Sequence, residues 1–224
     1  MSVTRTRLRR TVSVLALGVL GPALSVAAVT PAQATPTASS TPVQAQAQAQ
    51  RVRPAAAGAT ADLAGTFKKL NITMQQQQQT NWCWAASGNT IATWYGYTYS
   101  QNQFCNAAFG RSINSGCPNS QATLGDVQNG LSWIGINPGS YVTGYLRYST
   151  VQTEVNADRP IETRIQWSSG GGHMHVVYGF DTSNNWVYWG DPWPSNTRYN
   201  WADYNYYVSN GTFSWTHSLY RIGA

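Results

Sequence analysis

The chain has 224 residues, room for one domain of ordinary size with appendages, and 42% of them are hydrophobic, enough for a packed core. Only 10% are charged while Trp and Tyr number 10 and 13, which excludes global disorder, a coiled coil and a histone-like binder. The net charge of +6 is mostly N-terminal: Arg5, Arg7, Arg9 and Arg10 open the chain, whereas from residue 65 onward 8 Lys/Arg face 7 Asp/Glu, so no nucleic-acid partner is expected.

Residues 1–34 have the three parts of a secretory signal peptide. An Arg-bearing start leads into an apolar run from Val12 to Val29, broken at Gly21-Pro22, and then into Ala32-Gln33-Ala34, a small-x-small cleavage site. The interruption and the cleavage triplet argue against a stable membrane anchor. The expectation is a secreted, extracellular protein in an oxidising compartment. Residues 35–64 form a low-complexity linker or pro-segment: Thr, Pro, Ser and Ala dominate, and Gln44 to Gln50 alternate with Ala.

The folded domain is expected over residues 65–224. Cys83 to Tyr95 reads as a helix with Asn81 as its N-cap and Gly96 beyond its end. Ser100 caps a second helix through Phe109, stopped by Gly110. A third runs from about Leu124 to Trp133. The pair Ser149 and Gln152 has capping-box spacing for a fourth, which must end before Arg159-Pro160. After Pro160 the period becomes two: Ile161, Thr163, Ile165 and Trp167 face one way, and the polar Glu162, Arg164 and Gln166 the other. Further strands are expected at His173–Phe180, Asn185–Gly190, Tyr204–Ser209 and Trp215–Arg221. Helices followed by an antiparallel sheet make an α+β fold.

Three cysteines in an exported chain leave one unpaired. Cys105 and Cys117, twelve apart around a Gly/Asn/Ser-rich loop, are the expected disulfide, which contributes on the order of 3 kcal/mol. Cys83 is then the free thiol. A free Cys is commonly a small buried hydrophobe. At a helix start, however, unpaired N–H groups and the helix dipole favour a thiolate.

A nucleophile of this kind needs a base and a group to orient the base. His173 and His175 lie two apart in one strand and share a face, so alternation does not choose between them. His217, between Thr216 and Ser218, reads as a surface residue. Asp191 closes the next strand, beside the start of the His strand in an antiparallel pair. Glu154 and Asp158 lie on a helix and Glu162 on the polar face of its strand, which makes them weaker choices.

Asn81-Trp82-Cys83-Trp84-Ala85-Ala86-Ser87 resembles the nucleophile segment of papain-like cysteine peptidases, in which Cys-Trp-Ala-x-Ser opens the central helix. Gln77 stands six residues before the Cys, where that family has an oxyanion-hole Gln. The family's His stands six residues before a Gly-aromatic pair, so Gly179-Phe180 selects His173. Asp191-x-Trp193 matches the family's third residue and the Trp that shields its bond to the His. The likeness is strongest to compact secreted bacterial members, including the avirulence-effector peptidases of plant pathogens. It spans about Thr73 to Trp193. Thr80 stands where the papain group proper has a Cys, so the disulfide pattern of that group does not carry over.

The resemblance implies a papain-like fold, with a helical half carrying the nucleophile helix packed on an antiparallel sheet half. It implies a Cys83-His173-Asp191 triad with Gln77 in the oxyanion hole, a protein or peptide substrate, a monomer, and no metal or organic cofactor. Two other readings compete. One is a cell-wall peptide hydrolase or acyltransferase on the same fold, and the other is a non-catalytic, aromatic-rich binding module.

Overall fold

The computed structural model describes residues 66–224. The expected signal peptide (1–34) and the expected linker or pro-segment (35–64), like residue 65 of the expected domain, lie outside the described residues. Three helices come first: α1 (Cys83–Trp94), α2 (Gln101–Ala108) and α3 (Leu124–Ile134), after a short strand β1 (Phe67–Lys69). Then follow β2 (Ser140–Thr143), α4 (Tyr148–Asn156), β3 (Ile161–Trp167), β4 (Gly172–Asp181), β5 (Trp186–Gly190), β6 (Tyr199–Asp203), α5 (Tyr204–Val208) and β7 (Phe213–Tyr220). The architecture is α+β. Six strands run in the order β2-β7-β3-β4-β5-β6, all pairs antiparallel, and β1 adds a seventh.

Strand β4 organises the sheet because it is the longest strand, ten residues. Its first half pairs with β3, from Gln166↔Gly172 to Ile161↔Val177. Beyond the point where β3 begins, the same edge is taken by β1, with Lys69 opposite Gly179 and Phe67 opposite Asp181. The whole strand is almost entirely buried, which requires both faces of the sheet to be covered.

Helix α1 is buried from Trp84 to Ala92, as expected of a helix running through a core rather than along its surface. Small residues permit this. A Cβ on Gly88 would meet the Phe104 ring of α2 at 2.5 Å and Val127 of α3 at 3.1 Å, so the three helices close on that point. On the sheet side, the Ser87 hydroxyl reaches the Met174 carbonyl of β4 at 3.4 Å.

Local chemistry explains most helix ends. Ser100 and Gln103 form a reciprocal capping box on α2, and Thr123 and Asp126 form another on α3, which ends at the left-handed Gly135. Elsewhere the expected caps are replaced. Helix α4 begins at Tyr148 with Arg147 at its N-cap and no side-chain cap, so the Ser149/Gln152 spacing does not set its start. Tyr204–Val208 is a helical turn and not a strand, because the Asp203 carboxylate accepts from the Asn205 and Tyr206 backbone N–H groups. The strands β1, β2 and β6 are not among those expected; β1 and β2 are too brief to show a period, and β6 lies just before the segment expected as a strand.

Candidate active site

The start of α1 is held from outside the helix. Asn81 does not cap it. The Asn81 backbone N–H instead donates to the Asn119 side-chain oxygen at 2.9 Å, and the Asn81 amide donates to the Asn119 carbonyl at 2.9 Å. The Trp82 and Trp84 indoles donate to the Pro118 and Ser120 carbonyls, each at 3.0 Å. Residues 118–120 therefore grip both sides of Cys83, and the Cys105–Cys117 disulfide ties that loop to α2. Cys83 is the free cysteine, partly accessible, and as the first helical residue its N–H has no acceptor within the helix.

His173 enters from β4, directly after a turn in which Gly170 and Gly171 take φ of 95° and 79°. Its Nε2 meets Asp191 Oδ1 at 2.7 Å, with both residues 5% exposed. Cys83 lies close enough to this imidazole to favour its charged form. With Nε2 committed to Asp191, Nδ1 is the nitrogen left for the thiol. The Trp167 ring stacks on His173, centroids 6.0 Å apart and planes 20° apart, while Trp193 stands edge-on to it at 6.3 Å.

Asp191 follows β5 and is held at every polar atom. Oδ1 also accepts from the Trp193 N–H at 2.8 Å, and Oδ2 accepts from the Asn196 amide at 2.9 Å. Its carbonyl accepts from the Arg198 guanidinium, and its N–H donates to the Arg198 carbonyl at 3.0 Å. Burial alone would raise the Asp191 carboxyl, but the His173 charge and hydrogen bond, with His175 adding to them, hold it well below the usual carboxylate range. Burial likewise disfavours a charged His173. The Asp191 charge and hydrogen bond, then Cys83, outweigh that and push His173 up to about 10. The site is built to hold this imidazole in its charged form.

Gln77 is buried near this group, and its backbone N–H donates to the Pro192 carbonyl at 2.8 Å. Its amide nitrogen donates to the Gln79 and Thr80 carbonyls at 2.8 and 2.9 Å, so in this arrangement both amide hydrogens are engaged within the Gln segment. The Gln77 side-chain oxygen has no hydrogen-bond partner among the described residues. Donation to a substrate requires the amide to release one of those carbonyls.

Glu162 departs from the expected polar strand face. It is 0% exposed, and neither carboxyl oxygen has a hydrogen-bond partner among the described residues. Burial pushes its carboxyl well above the usual range, with Cys83 adding to the shift, so it is a neutral acid. His217 is partly exposed, as expected of it. His173, His175 and Asp191 each offer one metal-ligating atom within 4.8 Å of one another, but both Asp191 oxygens already accept hydrogen bonds from the protein.

A thiol at a helix start, a charged imidazole and a carboxylate holding that imidazole from behind are the parts of a cysteine peptidase site. Residues 66–209 match the family described as papain-like cysteine protease AvrRpt2. The chain belongs to that family. It is a cysteine-type peptidase of papain-like α+β fold. Among solved structures, the peptidase domain of Streptococcus ComA, a bi-functional ABC transporter involved in a quorum sensing pathway, is similar at 18% identity over 65% of this chain and 95% of that chain, with a TM-score of 0.47. No curated protein matches the chain by sequence. Among the described residues, no helix is long and apolar enough to cross a membrane.

The residues not singled out from sequence are Asn196, Trp167, Tyr207 and Arg198. The sole sequence hint was the His-x-His spacing, which places a second imidazole beside the first.

Proposed function

We propose that this chain is a secreted cysteine endopeptidase that hydrolyses peptide bonds through Cys83, His173 and Asp191. The 2.7 Å bond between His173 and Asp191, on an imidazole that Cys83 also helps to hold charged, supports the reading most directly. Cys83 acts as a thiolate whose proton resides on the charged His173, and its sulfur attacks the substrate carbonyl carbon. The resulting oxyanion is stabilised by the Cys83 backbone N–H and by the Gln77 amide once it turns from the Gln79 or Thr80 carbonyl. Each such donor contributes about 3 kcal/mol in comparable sites. The C–N bond then breaks, the leaving amine takes the proton from His173, and a thioester remains. Water, deprotonated by His173, attacks the thioester, the carboxylic acid product leaves, and the Cys83 thiolate is regenerated beside the charged His173.

Asp191 acts by holding the imidazole and favouring its charged form, and Trp167 and Trp193 cover the ring on two sides. The secreted assignment rests on residues 1–34 alone. The substrate is a protein or peptide, and the protein is taken to act as a monomer. The test is digestion of unfolded casein by the full chain under mild reductant, beside His173→Ala and Asp191→Asn, with products read by mass spectrometry. Internal cuts by the wild type, strongly reduced in both variants, are the expected result. Equal cutting by all three overturns the triad.

A further inference from the structure

Asp191 faces two histidines, and the proposed mechanism uses one. His175 is 2% exposed, and its ring is 4.9 Å from that of His173. Its Nδ1 lies 3.2 Å from the Tyr207 hydroxyl, which in turn lies 2.7 Å from Thr163 Oγ1. Its Nε2 points at Asp191 Oδ2 from 3.6 Å, beyond a direct hydrogen bond, and has no hydrogen-bond partner of its own among the described residues.

The direction of the chain follows from charge. If Nδ1 carried the imidazole proton, the bare Nε2 lone pair would face a carboxylate, which is repulsive. The consistent order is Thr163 hydroxyl to Tyr207, Tyr207 hydroxyl to His175 Nδ1, and His175 Nε2–H toward Asp191 Oδ2. We infer that His175 and Tyr207 form a second arm on Asp191, which fixes the carboxylate in line with His173 and confines the positive charge of the site to His173. This rests on the triad proposed above.

The surroundings of His175 agree. The titratable groups facing it are Asp191 after β5, His173 on β4 and Tyr207 on α5; Trp189 of β5 and Phe213 of β7 pack against the ring without charge. Burial lowers the His175 pKa and the neighbouring His173 charge lowers it further, against the pull of Asp191, so the ring is neutral. Burial raises Tyr207, which keeps its hydroxyl proton. A buried imidazolium pair on one carboxylate would be costly. A neutral donor adds hold without adding charge. His175 and Tyr207 are therefore positioning residues.

The test compares His175→Leu, His175→Gln and Tyr207→Phe in the full chain. Peptide kcat and KM are measured across pH, together with the pH profile of Cys83 alkylation by iodoacetamide, which needs no peptide. Leu and Phe are expected to lower kcat about tenfold with KM nearly unchanged, the scale of losing a group that orients another. They should also move the alkaline limb of hydrolysis to lower pH and the acid limb of alkylation to higher pH. Gln, whose amide can donate toward Asp191, should recover part of both effects. Unmoved pH limbs in Tyr207→Phe overturn the inference, and so does Gln behaving as Leu does with both limbs unmoved. Tyr207→Phe removes one oxygen, so it decides the matter if the Leu variant does not fold. Alkylation limbs that move as expected in a chain that cuts no peptide support the arm and refute the peptidase reading.

Discussion

His173 Nε2 and Asp191 Oδ1 meet at 2.7 Å in a site almost closed to water, where an uncompensated charge of either sign would be costly. Each group therefore sustains the other's ionised form. His173 is raised to about 10 from an ordinary value near 6.5. The stability it contributes is full below the ordinary value and is lost as pH rises through about 10. Asp191 is lowered, so its contribution is present above the ordinary carboxylate range and is lost as pH falls through its depressed value. Denaturant unfolding should show a stability plateau from above the ordinary carboxylate range to about pH 6.5, with a decline from there toward about pH 10, and Asp191→Asn should lose both features. Hydrolysis, which needs the imidazolium as acid, should persist well above neutrality and fall toward about pH 10.

The two histidines give a ranking. His173→Ala removes the partner of both Cys83 and Asp191 and should reduce turnover almost as far as Cys83→Ala. His175→Ala leaves the His173–Asp191 bond in place and should be much milder. Steady-state rates on one peptide decide the order, and the reverse order would reassign the base.

Gln77 differs from the other members of its run. Gln76 is tied through its side-chain oxygen to Arg198 and through its carbonyl to Gln101, and the Gln78 N–H donates to the Gln101 side chain. Neither is placed to take over. Gln77→Ala should lower kcat by about 10²-fold with little change in KM. An unchanged kcat would remove Gln77 from the oxyanion hole.

The grip on α1 makes the disulfide matter for the site as well as for stability. Replacing both Cys105 and Cys117 by Ser should cost about 3 kcal/mol in denaturant unfolding. Because residues 118–120 hold Asn81, Trp82 and Trp84, the alkylation rate of Cys83 should fall in the same variant. Asn119→Ala, which keeps the disulfide, should slow alkylation with a smaller loss of stability.

Much of this was legible because it is local. The Ser100 cap directly precedes its helix, and the period of two along Ile161–Trp167 is a property of one strand. The set of Cys83, Gln77, His173 and Asp191 could be named because each belongs to a short motif. What escaped depends on distant partners. Asn81 looked like a cap, but Asn119, 38 residues away, claims it. Tyr204–Val208 carries the aromatic composition of a strand and is turned into a helix by the Asp203 carboxylate. Glu162 alternates as a polar face should, yet both faces of the sheet are covered and it is buried. Tyr207 reaches His175 across 32 residues, a contact that no spacing reveals.

The most direct test of Cys83 as the nucleophile is to trap the acyl-enzyme. The full chain is mixed with a peptide nitrophenyl ester, quenched in acid, and mapped by mass spectrometry. One acyl group is expected, on Cys83, forming and decaying at rates consistent with turnover, with neither adduct nor turnover in Cys83→Ala. Turnover by Cys83→Ala at the wild-type rate, or an acyl group on another residue, would contradict it.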